Sequence, residues 1–414
     1  MENYKFKSAF LNILQERTLL NQVSNPLSLD EALISGKITG YIGFDCTASS
    51  LHIGNYIQIL LLKYLQQSGH NIIALMGEGT TLIGDPSGKD TTRKMLSSDD
   101  IKSNMLKIKN DLSKFITFDA QNILLSNASW LLEFKYLEFL RDFGTHFTIN
   151  RMLGFDSVKL RLERDQPLTF LEFNYMLLQA VDFLHLNKNY GVSLQMGGSD
   201  QWGNIINGVE LIRKTQSKEA FALTTPLLLK KDGSKMGKTA SGALWLNKEL
   251  CSVWDFYQYF RNVEDEVVID YLKKLTMIPI AEINKLDQLK GQELNEAKKI
   301  LAYEMCKIVH GVEEANKVLE LAVNTFEKKI LDDNLPTINL TSDQLKQDLS
   351  VIFLLTTYAN VNSNSEARKL ITNLGIKIND ITLKDVNKKI NTSDFLNNTL
   401  KLSLGKKKHI LFKI

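Results

Sequence analysis

Residues 38–44 read as a strand that passes through a polar turn into a helix opening near His52. Residues 71–76 (NIIALM) follow that helix as a short apolar run bounded by His70 and Gly77. An apolar run of this length between breakers is the pattern of a strand buried on both faces, as in a parallel sheet. Strand, helix and strand in this order require a right-handed crossover. They predict an α/β fold with a nucleotide-binding style of sheet, whose ligands gather at the carboxyl ends of the strands.

The junction itself, YIGFDCTASSLHIGN over residues 41–55, carries chemistry. A strand-to-helix turn aims backbone N–H groups and a positive helix end at whatever sits above the sheet. His52 and Asn55 can donate to phosphate or ribose oxygens, and Gly54 lets a flat base approach the helix. The next Gly-rich run, GEGTTLIGDPSGK over 77–89, has glycines spaced like a phosphate loop. Asp85-Pro86 stands where Lys-Ser or Lys-Thr would be needed, so the Walker reading fails. Asp85 is then either a turn residue before Pro86 or a ligand group at a strand end.

Three later stretches add to this. Residues 169–184 read as one largely apolar helix on which Tyr175, Gln179 and Asp182 share a face. A buried Gln or Asp left unpaired costs about 1–3 kcal/mol, so these groups need partners, either one another or a bound polar ligand. Residues 191–204 (GVSLQMGGSDQWGN) give a strand, a Gly pair and a helix opened by Asp200 and Gln201. An acid in that place can hold ribose hydroxyls while Gly198 permits close approach, and an N-cap is the plain alternative. Residues 227–239 (LLLKKDGSKMGKT) form a strand, a turn and a basic loop in which Lys235 and Lys238 flank Gly237. Mobile lysines suit a group whose charge builds during a reaction, although such loops are commonly only solvated surface.

Together these motifs carry a resemblance. LHIGN is similar to the HIGH signature of class I aminoacyl-tRNA synthetases, and KMGKT to their KMSKS signature. The surroundings, with GDPSGK and GGSDQWGN, resemble the tyrosyl branch of that family. The resemblance implies a Rossmann-like catalytic domain over 1–245, with a helical, dimer-forming insertion at about 95–165. It also implies a helical anticodon-arm domain over 246–330, a linker over 331–347 and a small α+β S4-like RNA-binding domain over 348–414. The implied substrates are L-tyrosine, ATP with magnesium, and tRNA(Tyr), with no tightly bound cofactor and a homodimeric assembly.

Residue by residue, the resemblance implies that Tyr41 and Asp182 read the phenolic hydroxyl. A site built to bond that group leaves its own buried polar groups unpaired when phenylalanine enters. Asp85, Tyr175, Gln179 and Gln195 would surround the α-amino group. Gly43, Asp45, His52, Gly54, Asn55, Gly198, Asp200 and Gln201 would contact ATP. Thr47, His52, Lys235 and Lys238 would act on the phosphates, with Lys89 and Arg93 nearby. The chain departs from the family pattern at three places. Asn55 replaces the second His of the signature, Ile42 replaces a Cys that contacts ribose, and Cys46 replaces a turn Pro, which predicts a looser turn.

Composition agrees with this organisation. The net charge is only +3 over 414 residues, but residues 351–414 hold 11 Lys or Arg against 4 Asp or Glu. Such asymmetry predicts a polyanion-binding tail on a neutral or acidic body. The three cysteines are scattered and form no CxxC pair, which argues against disulfides or structural zinc and fits a reducing cytoplasm. No secretory leader, membrane span or preformed metal cage is expected. Two rival readings remain: another HIGH-type nucleotidyl transferase, which would lack the KMGKT loop and basic tail, and an RNA-binding factor with a vestigial catalytic body. A tryptophanyl enzyme would not need the Tyr41 and Asp182 pair.

Overall fold

Alternation of buried apolar strands with amphipathic helices produces the larger part of the molecule. The computed structural model describes residues 4–85, 96–239, 242–326, 335–340, 349–396, 398–405 and 408–414. The chain divides into two compact units. One runs to Ser252 and takes in Val263–Leu301; the other comprises Val253–Asn262 and Ala302–Ile414.

The first unit is built on six strands: β1 (Gln22–Val23), β2 (Thr39–Asp45), β3 (Asn71–Gly77), β4 (Ile123–Ser126), β5 (Val192–Gly198) and β6 (Phe221–Thr225). Their order is β1-β6-β5-β2-β3-β4, with β1 antiparallel to β6 and every other pair parallel. β3 is buried from Ile72 onward, as its apolar run requires, and β6 is buried along its whole length although it ends in Thr224 and Thr225. β2 and β5 pair with Tyr41 opposite Gln195, so the direction of the chain through the sheet reverses between them. The helix Ile53–Gln67 lies close on β2: a Cβ on Gly40 would sit 2.5 Å from Leu65 Cδ2. A two-stranded hairpin, β7 (Lys238–Thr239) and β8 (Gly242–Ala243), follows the sheet.

The second unit contains the sheet β11-β10-β12-β13-β9. Its strands are β9 (Thr337–Asn339), β10 (Ile376–Ile378), β11 (Ile381–Thr382), β12 (Thr399–Leu404) and β13 (Lys408–Lys413). One face carries Ile376, Leu400, Leu402, Ile410 and Phe412 into a core shared with the helices Val351–Tyr358 and Asn364–Thr372. The period of two along β12 and β13 places Lys401, Ser403 and His409 on the other face. Lys401, only 2% exposed, is paired there with Asp380.

Several local expectations change. Residues 1–36 are not helical throughout: β1 lies between the helices Ala9–Glu16 and Pro26–Ser35 and extends the sheet. Asp30 is buried and accepts the N–H groups of Lys7 and Ser8 at the start of the first helix. The segment expected to be helical over 95–165 contains β4, whose edge is pinned where Asn122 accepts the Ile72 N–H at 3.1 Å. The helix expected over 169–184 is two. Phe170–Phe173 is closed by a capping box of Thr169 and Glu172, and Tyr175–Tyr190 begins after Asn174. The expected linker contains β9, parallel to β13, while 331–334 and 341–348 lie outside the described residues. The helices expected as one domain over 246–330 divide between the two units.

In the first unit, Arg17 closes the C-terminus of the helix Val268–Leu275. It is 8% exposed, donates to the carbonyls of Lys273, Thr276 and Ile278 at 2.7–3.0 Å, and lies over the Tyr64 ring. These are carbonyls the helix cannot satisfy itself. Arg17→Ala is expected to lower stability by about 3 kcal/mol, read as a lower midpoint in urea unfolding. Arg17→Lys should recover only part of it, because one ammonium cannot reproduce the planar fork.

Candidate active site

The carboxyl ends of β2 and β5 open into a cleft of about 780 Å³ within the first unit. β2 delivers Tyr41, Gly43 and Asp45 to its floor. The Asp45 carboxylate accepts Thr80 Oγ1 at 2.9 Å and Tyr175 Oη at 3.0 Å, which fixes it at the strand end. The turn that follows is held from both sides. The Cys46 N–H donates to Thr81 Oγ1 at 2.8 Å, and its carbonyl accepts Asn104 Nδ2 at 3.0 Å. The expectation that Cys46 loosens the turn is therefore not met, since a proline there would lack the N–H that binds Thr81. Burial, with Asp45 and Glu78 adding, pushes the Cys46 thiol up to about 12, so it is no nucleophile at neutral pH.

Further along the turn, the buried carboxylate of Asp111 accepts Ser50 Oγ at 2.7 Å and the Leu51 N–H at 3.4 Å, with Lys114 on its other oxygen. His52 then opens the helix Ile53–Gln67, and its N–H donates to Asn55 Oδ1 at 3.1 Å. Asn55 thus closes the first turn while its amide N–H₂ keeps donor capacity. Residues 244–246 run along this turn: Ile53 N–H donates to Leu244, Leu246 N–H to Leu51, and Trp245 faces the His52 ring at 6.1 Å. Gly237, in the basic loop, has φ +87°, and a Cβ there would sit 2.4 Å from Ile53 Cγ2. Only glycine fits between the loop and the helix start. Lys235 Nζ reaches Asp200 Oδ2 at 3.2 Å.

The deep end is aromatic and acidic. Tyr41 is 1% exposed, and its hydroxyl is buried without a hydrogen-bond partner among the described residues. Asp182 lies near it, on the helix Tyr175–Tyr190. Its two oxygens accept Asn127 Nδ2 at 2.9 Å and Trp130 Nε1 at 2.7 Å. Burial pushes the Asp182 carboxyl up to about 7 against the pull of these donors, and Asp45 adds to the rise. Burial and Asp182 likewise hold the Tyr41 phenol well above its usual value. Such a pocket offers an acceptor and a hydroxyl to one polar group at the end of an apolar body.

The residues expected from sequence converge here. Tyr41, Gly43, Asp45, Thr47, His52, Gly54, Asn55, Asp85, Tyr175, Gln179, Asp182, Gln195, Gly198, Asp200, Gln201 and Lys235 all line the cleft. Lys238 lies in β7, but its side chain is outside the description, and Lys89 and Arg93 are outside the described residues. One pairing differs from the expectation. Gln201 Nε2 donates to Asp85 Oδ2 at 2.8 Å, whereas Gln195 is buried opposite Tyr41, its amide oxygen unbonded. Sequence reading missed Asn127, Asp111 and Trp245 and took Trp130 for an ordinary apolar residue. A polar residue beside a short apolar strand was the one signal available for Asn127.

Comparison with known proteins places this cleft. The model for class I tRNA synthetases of the W and Y type matches residues 35–327, and that for the SYY-like C-terminal domain of tyrosine–tRNA ligases matches 327–412. The chain is 51% identical to the tyrosine–tRNA ligase of Caulobacter sp. (strain K31) over 411 residues, 99% of this chain and 98% of that one. It is 52% identical to that of Wolbachia pipientis subsp. Culex pipiens (strain wPip), covering 98% of both. Among solved structures, a C-terminally truncated mitochondrial tyrosyl-tRNA synthetase of Aspergillus nidulans matches with TM-score 0.68 and 32% identity, over 77% of this chain and 95% of that one. The chain belongs to the tyrosine–tRNA ligases of the class I aminoacyl-tRNA synthetase family, enzymes that use ATP to join tyrosine to tRNA.

Proposed function

We propose that the cleft holds tyrosine at its Tyr41–Asp182 end and ATP between the residue 45–55 turn, Gly198–Gln201 and the basic loop. The observation that carries this reading is the buried, unbonded Tyr41 hydroxyl beside an acceptor already fixed by Asn127 and Trp130. A phenol satisfies both groups, and phenylalanine leaves them buried and unpaired. Asp85, with Tyr175, Gln179 and Gln195, takes the α-ammonium group, and Gln201, bonded to Asp85, faces ATP.

The tyrosine carboxylate attacks the α-phosphate of magnesium-bound ATP. The new bond is the acyl–phosphate bond of tyrosyl-adenylate, and the bond to pyrophosphate breaks. A terminal ribose hydroxyl of tRNA(Tyr) then attacks the acyl carbon and AMP departs. No enzyme nucleophile is needed, so positioning and charge stabilisation carry the rate. Thr47 and His52 donate to the departing phosphates, with Lys235 and Lys238 closing over them. Asp200 holds the ribose, and Gly43, Gly54 and Gly198 allow adenosine to approach the backbone.

Exposed Arg368, Lys369, Lys377 and Lys384 support an S4-like, RNA-binding reading of the C-terminal part. Leu132, Tyr136, Leu137, Ile149 and Phe170 are all at least 59% exposed, which supports a homodimer formed through the segment 128–171. Three scattered cysteines with no CxxC pair support a cytoplasmic enzyme; separately, among the described residues no helix is long and apolar enough to cross a membrane.

Amino-acid-dependent ATP–pyrophosphate exchange without tRNA tests the reading. Exchange is expected with tyrosine and not with phenylalanine or tryptophan; exchange with none would overturn it. In the same assay, Tyr41→Phe should cost about tenfold in kcat/KM for tyrosine and leave phenylalanine use unchanged. Asp111→Ala, which frees the Ser50–Leu51 turn, should raise KM for ATP about five- to tenfold with little change in KM for tyrosine. A parallel rise in both constants would show that Asp111 does not act through the ATP turn.

A further inference from the structure

Outside the cleft, one ring bears on its deepest contact. The His185 imidazole stacks on the Trp130 indole with ring centroids 4.1 Å apart and an interplanar angle of 12°. Trp130 is 5% exposed, and its Nε1–H makes the 2.7 Å bond to Asp182 Oδ1. His185 lies three residues beyond Asp182 on the helix Tyr175–Tyr190, so carboxylate and imidazole share a face. The indole that bridges them comes from a different segment, the short helix Ala128–Leu131 after β4.

We propose that His185 is a positioning residue for tyrosine selection: its ring fixes the Trp130 indole, and the indole fixes the Asp182 carboxylate that reads the substrate hydroxyl. This rests on the reading of Asp182 as the hydroxyl acceptor. An indole N–H is a single donor whose direction is set by the ring plane, and a short charge-assisted bond weakens steeply as that direction tilts. The other carboxylate oxygen is held by Asn127, so rotation of Asp182 is controlled by Trp130 alone among the side chains that bond Oδ1. Parallel stacking clamps the ring plane, which a smaller or non-planar neighbour cannot do. Burial, with Lys188 adding, keeps the imidazole below its usual pKa, so a neutral aromatic ring makes the stack at neutral pH. His185 does not line the cleft, and its effect is confined to what Asp182 does.

Pyrophosphate exchange with tyrosine and with phenylalanine tests the proposal on His185→Ala, His185→Gln, His185→Phe and Asp182→Asn. His185→Ala and His185→Gln are expected to raise KM for tyrosine about three- to tenfold, from the strength of aromatic pairs. KM for ATP and kcat at saturating tyrosine should stay unchanged, and phenylalanine should still give no exchange. His185→Phe keeps a flat ring and should restore the tyrosine KM. Wild-type tyrosine KM in both ringless variants, beside a defective Asp182→Asn, would overturn the role of His185 while leaving the Asp182 reading intact. A loss of kcat with every substrate that His185→Phe does not rescue would mark a merely structural residue and also overturn it. A wild-type tyrosine preference in Asp182→Asn would overturn both.

Discussion

The parallel pairing of β2 with β5 is the constraint on which the site depends. The sheet grows one way through β2, β3 and β4 and the other way through β5 and β6. The connections leaving β2 and β5 therefore diverge, and a crevice opens at their carboxyl ends. Register does the rest. Tyr41 opposite Gln195 puts a phenol and an amide at the base, while Asp45 and Gly198 arrive at the rim. Sliding β2 by one residue would turn Tyr41 to the other face of the sheet, and sliding β5 would do the same to Gln195.

A second layer of contacts holds the loops above that crevice. Asn104 and Asp111, both on the helix Ser98–Leu112, grip the turn at Cys46, Ser50 and Leu51. Residues 244–246 pair with the same turn, so the basic loop and the HIGN turn are neighbours through backbone bonds. Tyr271 Oη donates to Leu229 at the root of the loop, and Tyr56 Oη donates to Leu275 at the end of the same helix. Of these supports Trp245 lines the cleft, while Asn104, Asp111, Tyr56 and Tyr271 hold the loops from behind it.

Sequence made the cleft legible where one residue type was needed in a fixed local order. LHIGN, GGSDQWGN and KMGKT each combine a glycine and a polar group within a few residues, and His52, Asn55, Asp200, Gln201 and Lys235 from them line one cleft. It was silent where a contact joins distant segments. Asn127, Trp130 and Asp111 reach the site from positions with no motif, and only the folded chain reveals that Asp182 is already held by two donors. Short strands were missed for a related reason: β4 has four residues and β9 three, too few for a period of two to stand out among helical neighbours. The single helix expected over 169–184 opens at the Thr169–Glu172 capping box but breaks at Asn174, whose side chain donates to the Phe170 carbonyl before Tyr175 starts the next helix. The Gln201–Asp85 bond joins segments 116 residues apart, so no local pattern announces it.

The central claim is that a buried carboxylate, pushed up to about 7 by its dry surroundings, becomes the acceptor of the substrate hydroxyl. In the free protein near pH 7 that carboxyl is then partly protonated, and the ionised form is the stronger acceptor for a further donor. The most direct test is calorimetric titration of the protein with tyrosine in buffers of different ionisation enthalpy, which counts protons released on binding. Release of about half a proton near pH 7 is expected, rising toward one near pH 6 and falling toward zero near pH 8. Binding that exchanges no protons across this range would contradict the account, because Asp182 would then already be ionised and its burial would not be the property that shapes the site.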